Sequence, residues 1–143
     1  MIKNLKINDG KATALISLSH NGMQPYDITI FIDDESGDIQ RESQIHPILD
    51  RIENFFKQIN TDDLIREISI EINQACYEQS DYEPTESDNK ELANDLRIMN
   101  ITAYFDDLVF IYYSNSFLPD MEISAQITYE GKLENLEMRE FEN

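Results

Sequence analysis

The residues able to do chemistry are few and scattered in this 143-residue chain. Nucleophilic catalysis would draw on Cys76 or on a serine beside His20 or His46, the only histidines. Cys76 falls on an apolar stripe of helical spacing, which predicts a buried, inert thiol acting as a small hydrophobe. His20 falls in a turn and His46 at a helix start, and no motif surrounds either. A lone cysteine forms no internal disulfide, and a thiolate metal site would need both histidines. Glycosidase chemistry uses a carboxylate pair in a groove that is often aromatic-lined. Carboxylates are so abundant here that a pair is uninformative, and tryptophan is absent.

Calcium is the more serious test, because Asp33-Asp34-Glu35-Ser36-Gly37-Asp38 has the look of a ligand loop. An EF-hand needs glycine at its sixth position and a bidentate glutamate at its twelfth. Counted from Asp34 those positions are Ile39 and Ile45, and counted from Asp33 the glycine comes one place early. A hydrated acidic turn is the expectation. The four glycines are dispersed, so no phosphate cradle is encoded. The chain reads as a non-enzyme without cofactor or metal.

The elements that would position any binding residues follow from periodicity. Residues 2–7 read as a strand, Asp9-Gly10 as a tight hairpin turn, and 12–19 as a second strand with Ala14, Ile16 and Leu18 on one face. Residues 26–33 place Ile28, Ile30 and Ile32 on one face with Thr29 and Phe31 on the other. The middle third changes period. Ile45, Ile48, Leu49, Ile52, Phe55, Phe56 and Ile59 form one helical stripe, with Ser43 as expected cap and Pro47 in the first turn. Leu64, Ile65, Ile68, Ile72, Ala75 and Cys76 form a second stripe. Residues 79–90 hold little to bury and are expected to be a mobile acidic loop, with a short helical piece over 91–97. Alternation returns over 99–105, 108–114 and 121–129, and a last strand from Leu133 slips once, which predicts a bulge.

The resulting fold class is α+β, a single acidic domain over 1–143 in the order βββααββββ. Its antiparallel sheet of six to seven strands, open to strong curvature, carries a two-helix hairpin on one face. The second face is expected to present Phe31, Tyr104, Phe110 and Tyr112.

Charge narrows the partner. Twenty-nine acids against eleven Lys and Arg give −18. Nucleic acid and anionic membrane would be repelled by such a surface. No apolar run is long enough to span a membrane and no signal-like segment opens the chain, so a cytoplasmic location is expected. The acids cluster in 33–42, 78–95 and 120–143, with nets of −4, −6 and −5. A folded acidic chain with an aromatic face and no catalytic motif is read as a binder of a basic protein. Asp33, Asp34, Glu35 and Asp38 with Asp81, Glu83, Glu86 and Asp88 are the expected contacts, beside Phe31, Tyr104 and Tyr112.

The C-terminal third runs from Ile101 through Phe105-Asp106-Asp107-Leu108 to Tyr112-Tyr113. It continues through Leu118-Pro119-Asp120-Met121-Glu122 to Tyr129-Glu130-Gly131-Lys132. In this strand-turn cadence it resembles the small acidic immunity proteins of bacterial contact-dependent and polymorphic toxin systems. The resemblance implies an antidote that covers the active surface of one basic, nuclease-type toxin, and it carries over no individual site residue. Two other readings stay open: a self-associating adaptor, dimeric through its aromatic face, and a small-ligand binder or enzyme using a helix–sheet cleft.

Overall fold

The computed structural model describes residues 2–141. Three strands open the chain, β1 (Ile2–Asn8), β2 (Lys11–Leu18) and β3 (Tyr26–Ile32). A 3-10 turn (Glu42–Gln44) leads into α1 (His46–Gln58), α2 (Thr61–Tyr77) and α3 (Glu86–Asp95). Four strands finish it: β4 (Leu96–Ala103), β5 (Asp107–Ser114), β6 (Met121–Thr128) and β7 (Leu133–Glu140).

Local chemistry accounts for the boundaries. Asp9 and Gly10 take φ of 52° and 76°, the paired left-handed values of a type I′ hairpin turn, where glycine carries no Cβ penalty. The Asn60 side chain accepts from the backbone N–H groups of Asp62 (2.8 Å) and Asp63 (3.4 Å), capping α2. Thr85 and Asp88 form a reciprocal capping box on α3. Ser43 caps nothing; it lies in the 3-10 turn, and α1 begins three residues later with Pro47 in its first turn.

All seven strands form one sheet in sequential order, and every neighbouring pair is antiparallel except β3–β4. That parallel pair, in register from Thr29↔Asn100 to Ile32↔Ala103, corrects the all-antiparallel expectation. Antiparallel neighbours need only a tight turn, whereas a parallel pair needs a crossover that returns the chain to the same end. Residues 33–95 supply it. A third helix is part of that crossover: α3 occupies 86–95, half of it in the stretch expected to be a loop. The capping box, invisible to a hydrophobicity count, is what organises it.

The covered face is built in rows across the sheet. Ala14, Ile30, Ile101, Phe110, Ala125 and Leu136 form one, and Ala12, Ile32, Ala103, Leu108, Ile127 and Leu133 the next. Ile48, Ile52 and Phe55 of α1 and Leu64, Ile65, Ile68 and Ile72 of α2 share this core. The Phe55 and Phe56 rings lie 5.9 and 6.3 Å from that of Phe110, so the helices cover the Phe110 face. Each such side chain, fully buried, contributes about 1.5–3 kcal/mol.

Phe110 and Tyr112 therefore lie under the helices, fully buried, and not on the open face. The segment 108–114 is apolar on both faces, so its phase is undetermined by alternation; pairing Tyr112 with Ile98 and Ile123 sets it. Tyr112 consequently cannot contact a partner. A bulge between Ile98 and Asn100 likewise leaves Met99, which strict alternation would align with Ile101 and Ala103, at the surface. The expected slip in the last strand is present, as a register shift opposite Gln126/Ile127. Cys76, expected in the core, is exposed, because residues 74–77 of the last turn of α2 project beyond the buried stripe.

The Tyr112 hydroxyl has no hydrogen-bond partner, and burial pushes its ionisation far above the ordinary range. An unsatisfied buried hydroxyl costs about 1–3 kcal/mol. Tyr112→Phe keeps the ring and removes that cost, so urea denaturation should give a variant more stable by about 1 kcal/mol.

Candidate protein-binding surface

The acids are distributed by topology. Residues 42–95 hold fourteen acids against four Lys and Arg, so −10 of the −18 belongs to the helical layer. At the end of the sheet where β3 and β4 finish, the turns bring Asp33, Asp34, Glu35 and Asp38 near Asp9, Asp106 and Glu130. The Asp33 N–H donates to the carbonyl of Ala103 at 2.9 Å, and the Ile39 N–H to that of Gly10 at 2.8 Å, which fixes the acidic turn to this end.

Within that turn the carboxylates fold on themselves. Asp33 accepts from the Glu35 N–H (2.8 Å), and Asp34 from the N–H (3.0 Å) and hydroxyl (2.6 Å) of Ser36. Hydrogen bonds from Ser36 hold the Asp34 carboxyl below its usual range. Asp33 and Asp34 also line a shallow cleft of about 250 Å³ with Phe31, Lys11 and Ile39. Phe31 itself stands 44% exposed on the open face. Tyr104 lies in the β4–β5 turn, its carbonyl accepting from the Tyr129 hydroxyl. Beside it Phe105 is covered by the Arg51 guanidinium, 4.6 Å from the ring centroid.

Asp81, Glu83, Glu86 and Asp88 are at the opposite end of the strands, by the loop that follows β5. The structure thus does not unite the two acidic groups around one sheet face. It places the second group against a different set of aromatics. Tyr77, at the end of α2, and Tyr82 lie with ring centroids 5.0 Å apart, and both are exposed. Phe117, in the β5–β6 loop, is 54% exposed. Between these elements is a groove of about 120 Å³ lined by Tyr77, Cys76, Leu92, Phe117, Asp88 and Glu91.

Three sets of polar bonds fix this geometry. The Asn73 amide donates to Asn89 at 2.8 Å and ties α2 to α3. Asp88 accepts from the Thr85 N–H (2.8 Å) and the Tyr82 hydroxyl (2.5 Å), which hold its carboxyl below the usual range. Asp95, closing α3, accepts from the Ser114 hydroxyl and from the N–H groups of Ser116 (3.1 Å) and Phe117 (3.3 Å). Burial opposes its ionisation, but those hydrogen bonds outweigh it and keep the carboxyl low. Asp88 is thus a structural member of the patch, and Asp95 orients the loop that presents Phe117.

Tyr77, Tyr82, Phe117 and Asp95 are missing from the sequence reading. A signal existed: Phe117 is an aromatic directly after the polar run Ser114-Asn115-Ser116, Tyr77 precedes the acidic linker and Tyr82 stands within it. Among the described residues, no three His, Cys, Asp or Glu side chains converge to hold a metal ion, and no helix is long and apolar enough to cross a membrane. Comparison with protein-family models, with curated proteins and with solved structures finds no match to the chain.

A cleft of about 320 Å³ lies between α2, α3 and the β2–β3 turn, with Asp62, Arg66, Glu86 and Lys90 on its walls. Behind Asp62 sits His20, only 3% exposed although its turn is on the surface. Its Nδ1 is 3.4 Å from the Asp62 carboxylate without a hydrogen bond. Burial, reinforced by the Arg97 charge, lowers the His20 pKa from 6.5, against the opposing pull of Asp62. The unfolded chain therefore takes up this proton first as pH falls. The contribution is complete above the unfolded value of 6.5 and is lost as pH falls from there through the folded value. His20→Gln should flatten the loss of unfolding free energy between about pH 7 and pH 5, measured by urea denaturation at each pH.

Proposed function

We propose that the chain is an acidic protein-binding domain that captures a basic protein through the α2–α3 end. Its role is that of an inhibitor or immunity protein covering the working surface of a nuclease-type toxin. The observation that carries the reading is the groove that joins exposed Tyr77 and Phe117 to Asp88 and Glu91, with the Tyr82 ring against Tyr77 and the acidic run Asp81, Glu83 and Glu86 following in the chain. Aromatic rings in contact make a rigid apolar anchor, and their faces attract guanidinium and ammonium groups. Acids around such an anchor steer a basic partner in and fix its orientation, while the desolvated rings slow its departure. A basic nucleic-acid-binding surface presents the complementary elements, arginines and lysines spaced to meet phosphates. The resemblance of the C-terminal third to immunity proteins points the same way, and it includes Leu118-Pro119-Asp120, next to Phe117.

The test separates charge from anchor. Asp81, Glu83 and Glu86 are reversed to Lys in one variant, with Asp88 kept because it caps α3. Phe117→Ala and Tyr77→Ala form the second. In pull-downs from the source organism's lysate, wild type should retain one basic protein that moderate salt elutes. The charge variant should lose it at all salt concentrations. The anchor variant should bind about tenfold or more weakly with the salt response preserved. Equal retention by all three proteins would remove this surface from the function.

A further inference from the structure

The acidic surfaces leave one broad region untouched. On the face of the sheet opposite the helices, the strand register lays out two complete rows. One runs Lys6, Thr13, Phe31, Thr102, Val109, Gln126, Asn135, and the next Lys3, Leu15, Thr29, Asn100, Ile111, Ser124, Glu137. The ten residues these rows place on β2 to β6 include no charge, in a chain where 28% of residues are charged. Most are half-buried by their neighbours, and Phe31 stands out from them. The flanking charges are balanced and partly self-paired: Lys3 is 3.0 Å from Asp27, and Arg139 is 2.6 Å from Glu122.

We propose that this panel is the interface of an isologous dimer, two copies stacked sheet to sheet about a two-fold axis running along β4. Three observations select a second copy as the occupant. The first is charge. A chain of −18 meets the least self-repulsion where local charge is absent, and stacking these faces turns both helical layers, −10 each, outward and away from one another while the acidic turns stay at the rim. The second is the symmetry of the rows. An axis along β4 sets β1 of one copy over β7 of the other, so the edge bearing Lys3 and Lys6 meets the edge bearing Glu137 twice over. Long lysine side chains absorb the offset of about 30° at which aligned sheets pack. The third is size. Seven strands about 4.8 Å apart and about 26 Å long give the whole open face, central panel and charged rim together, roughly 750 Å², close to the roughly 800 Å² per partner of a standard stable interface. Depletion of charge at the centre with charge kept to the rim is the composition such interfaces have.

The axis makes a sharp test. Thr102 lies on β4, so Thr102→Arg places two guanidinium groups against each other at the centre of the dimer while each monomer gains only a half-exposed side chain. Light scattering and sedimentation at tens of micromolar should give twice 16.7 kDa for wild type and 16.7 kDa for Thr102→Arg, with circular dichroism confirming the fold. Val109→Lys, on the neighbouring strand, serves if Thr102→Arg fails to fold. Lys3→Glu should weaken the dimer about tenfold, and adding Glu137→Lys, which its row sets opposite Lys3 of the other copy, should restore it. Added salt should tighten the wild-type dimer by screening the net repulsion, the opposite of its effect on a basic partner. A wild-type mass of 16.7 kDa at every concentration, or a dimer indifferent to Thr102→Arg and Val109→Lys, overturns the proposal. The panel and the α2–α3 patch are separate surfaces, so a monomeric variant that still captures a basic protein leaves the proposed function standing.

Discussion

The parallel joint between β3 and β4 is the constraint on which the rest of this structure depends. Everywhere else the chain turns back on itself within a few residues, and only here does it leave the sheet. Leaving at the end of β3 and returning at the start of β4, on the adjacent position, requires a crossover. All three helices are in it, and so they all lie over one face. The other face is left open by connectivity rather than by any lack of material to cover it. Both the buried core and the exposed panel follow from this one joint.

The crossover also sorts the charge. Helix surfaces away from the core are where Asp and Glu can be solvated, and the helical layer carries more than half of the net charge. The loop ends carry most of the remainder, while the open face keeps Thr, Ser, Asn, Gln and a few β-branched residues at half-buried sites, where threonine and valine fit the pleat. An acidic chain thereby presents two chemically distinct surfaces. One has a strong field and exposed rings at the α2–α3 end. The other has an uncharged centre and a broad extent. Under the two proposals their responses to salt have opposite signs, because attraction to a basic molecule is screened in one case and self-repulsion in the other.

Alternation places most strands where the structure has them, because Ile28, Ile30 and Ile32, or Ile123, Ala125 and Ile127, allow one assignment of faces. It fails for 108–114, where Val109, Ile111 and Tyr113 are as apolar as Leu108, Phe110 and Tyr112 and a shift of one residue exchanges the sets. It fails at Met99, because a bulge depends on a partner strand not adjacent in the pattern. The third helix escapes for a different reason: Glu86–Asp95 buries only Leu92 and Ala93, so its signal is the Thr85–Asp88 cap and not a stripe. In the proposed binding surface, Asp81, Glu83 and Glu86 are legible as an acidic run. Their companions Tyr77, Tyr82 and Phe117 are brought together from an α2 end, a linker and a loop some 35 to 40 residues on.

By itself the sequence determines the class of the fold, the identity of the strands and of two helices, and the acidic character that limits the partner. These rest on local periodicity and composition, which do not depend on what lies across the chain. The tertiary structure alone decides which face of β5 is buried, that β3 and β4 run parallel, and that the acidic groups at 33–38 and 81–88 occupy opposite ends. It also decides that ten uncharged side chains from five strands form one panel. Each of these is a relation between segments distant in sequence, set by register and crossover, and neither is written in the spacing of residues along a single strand.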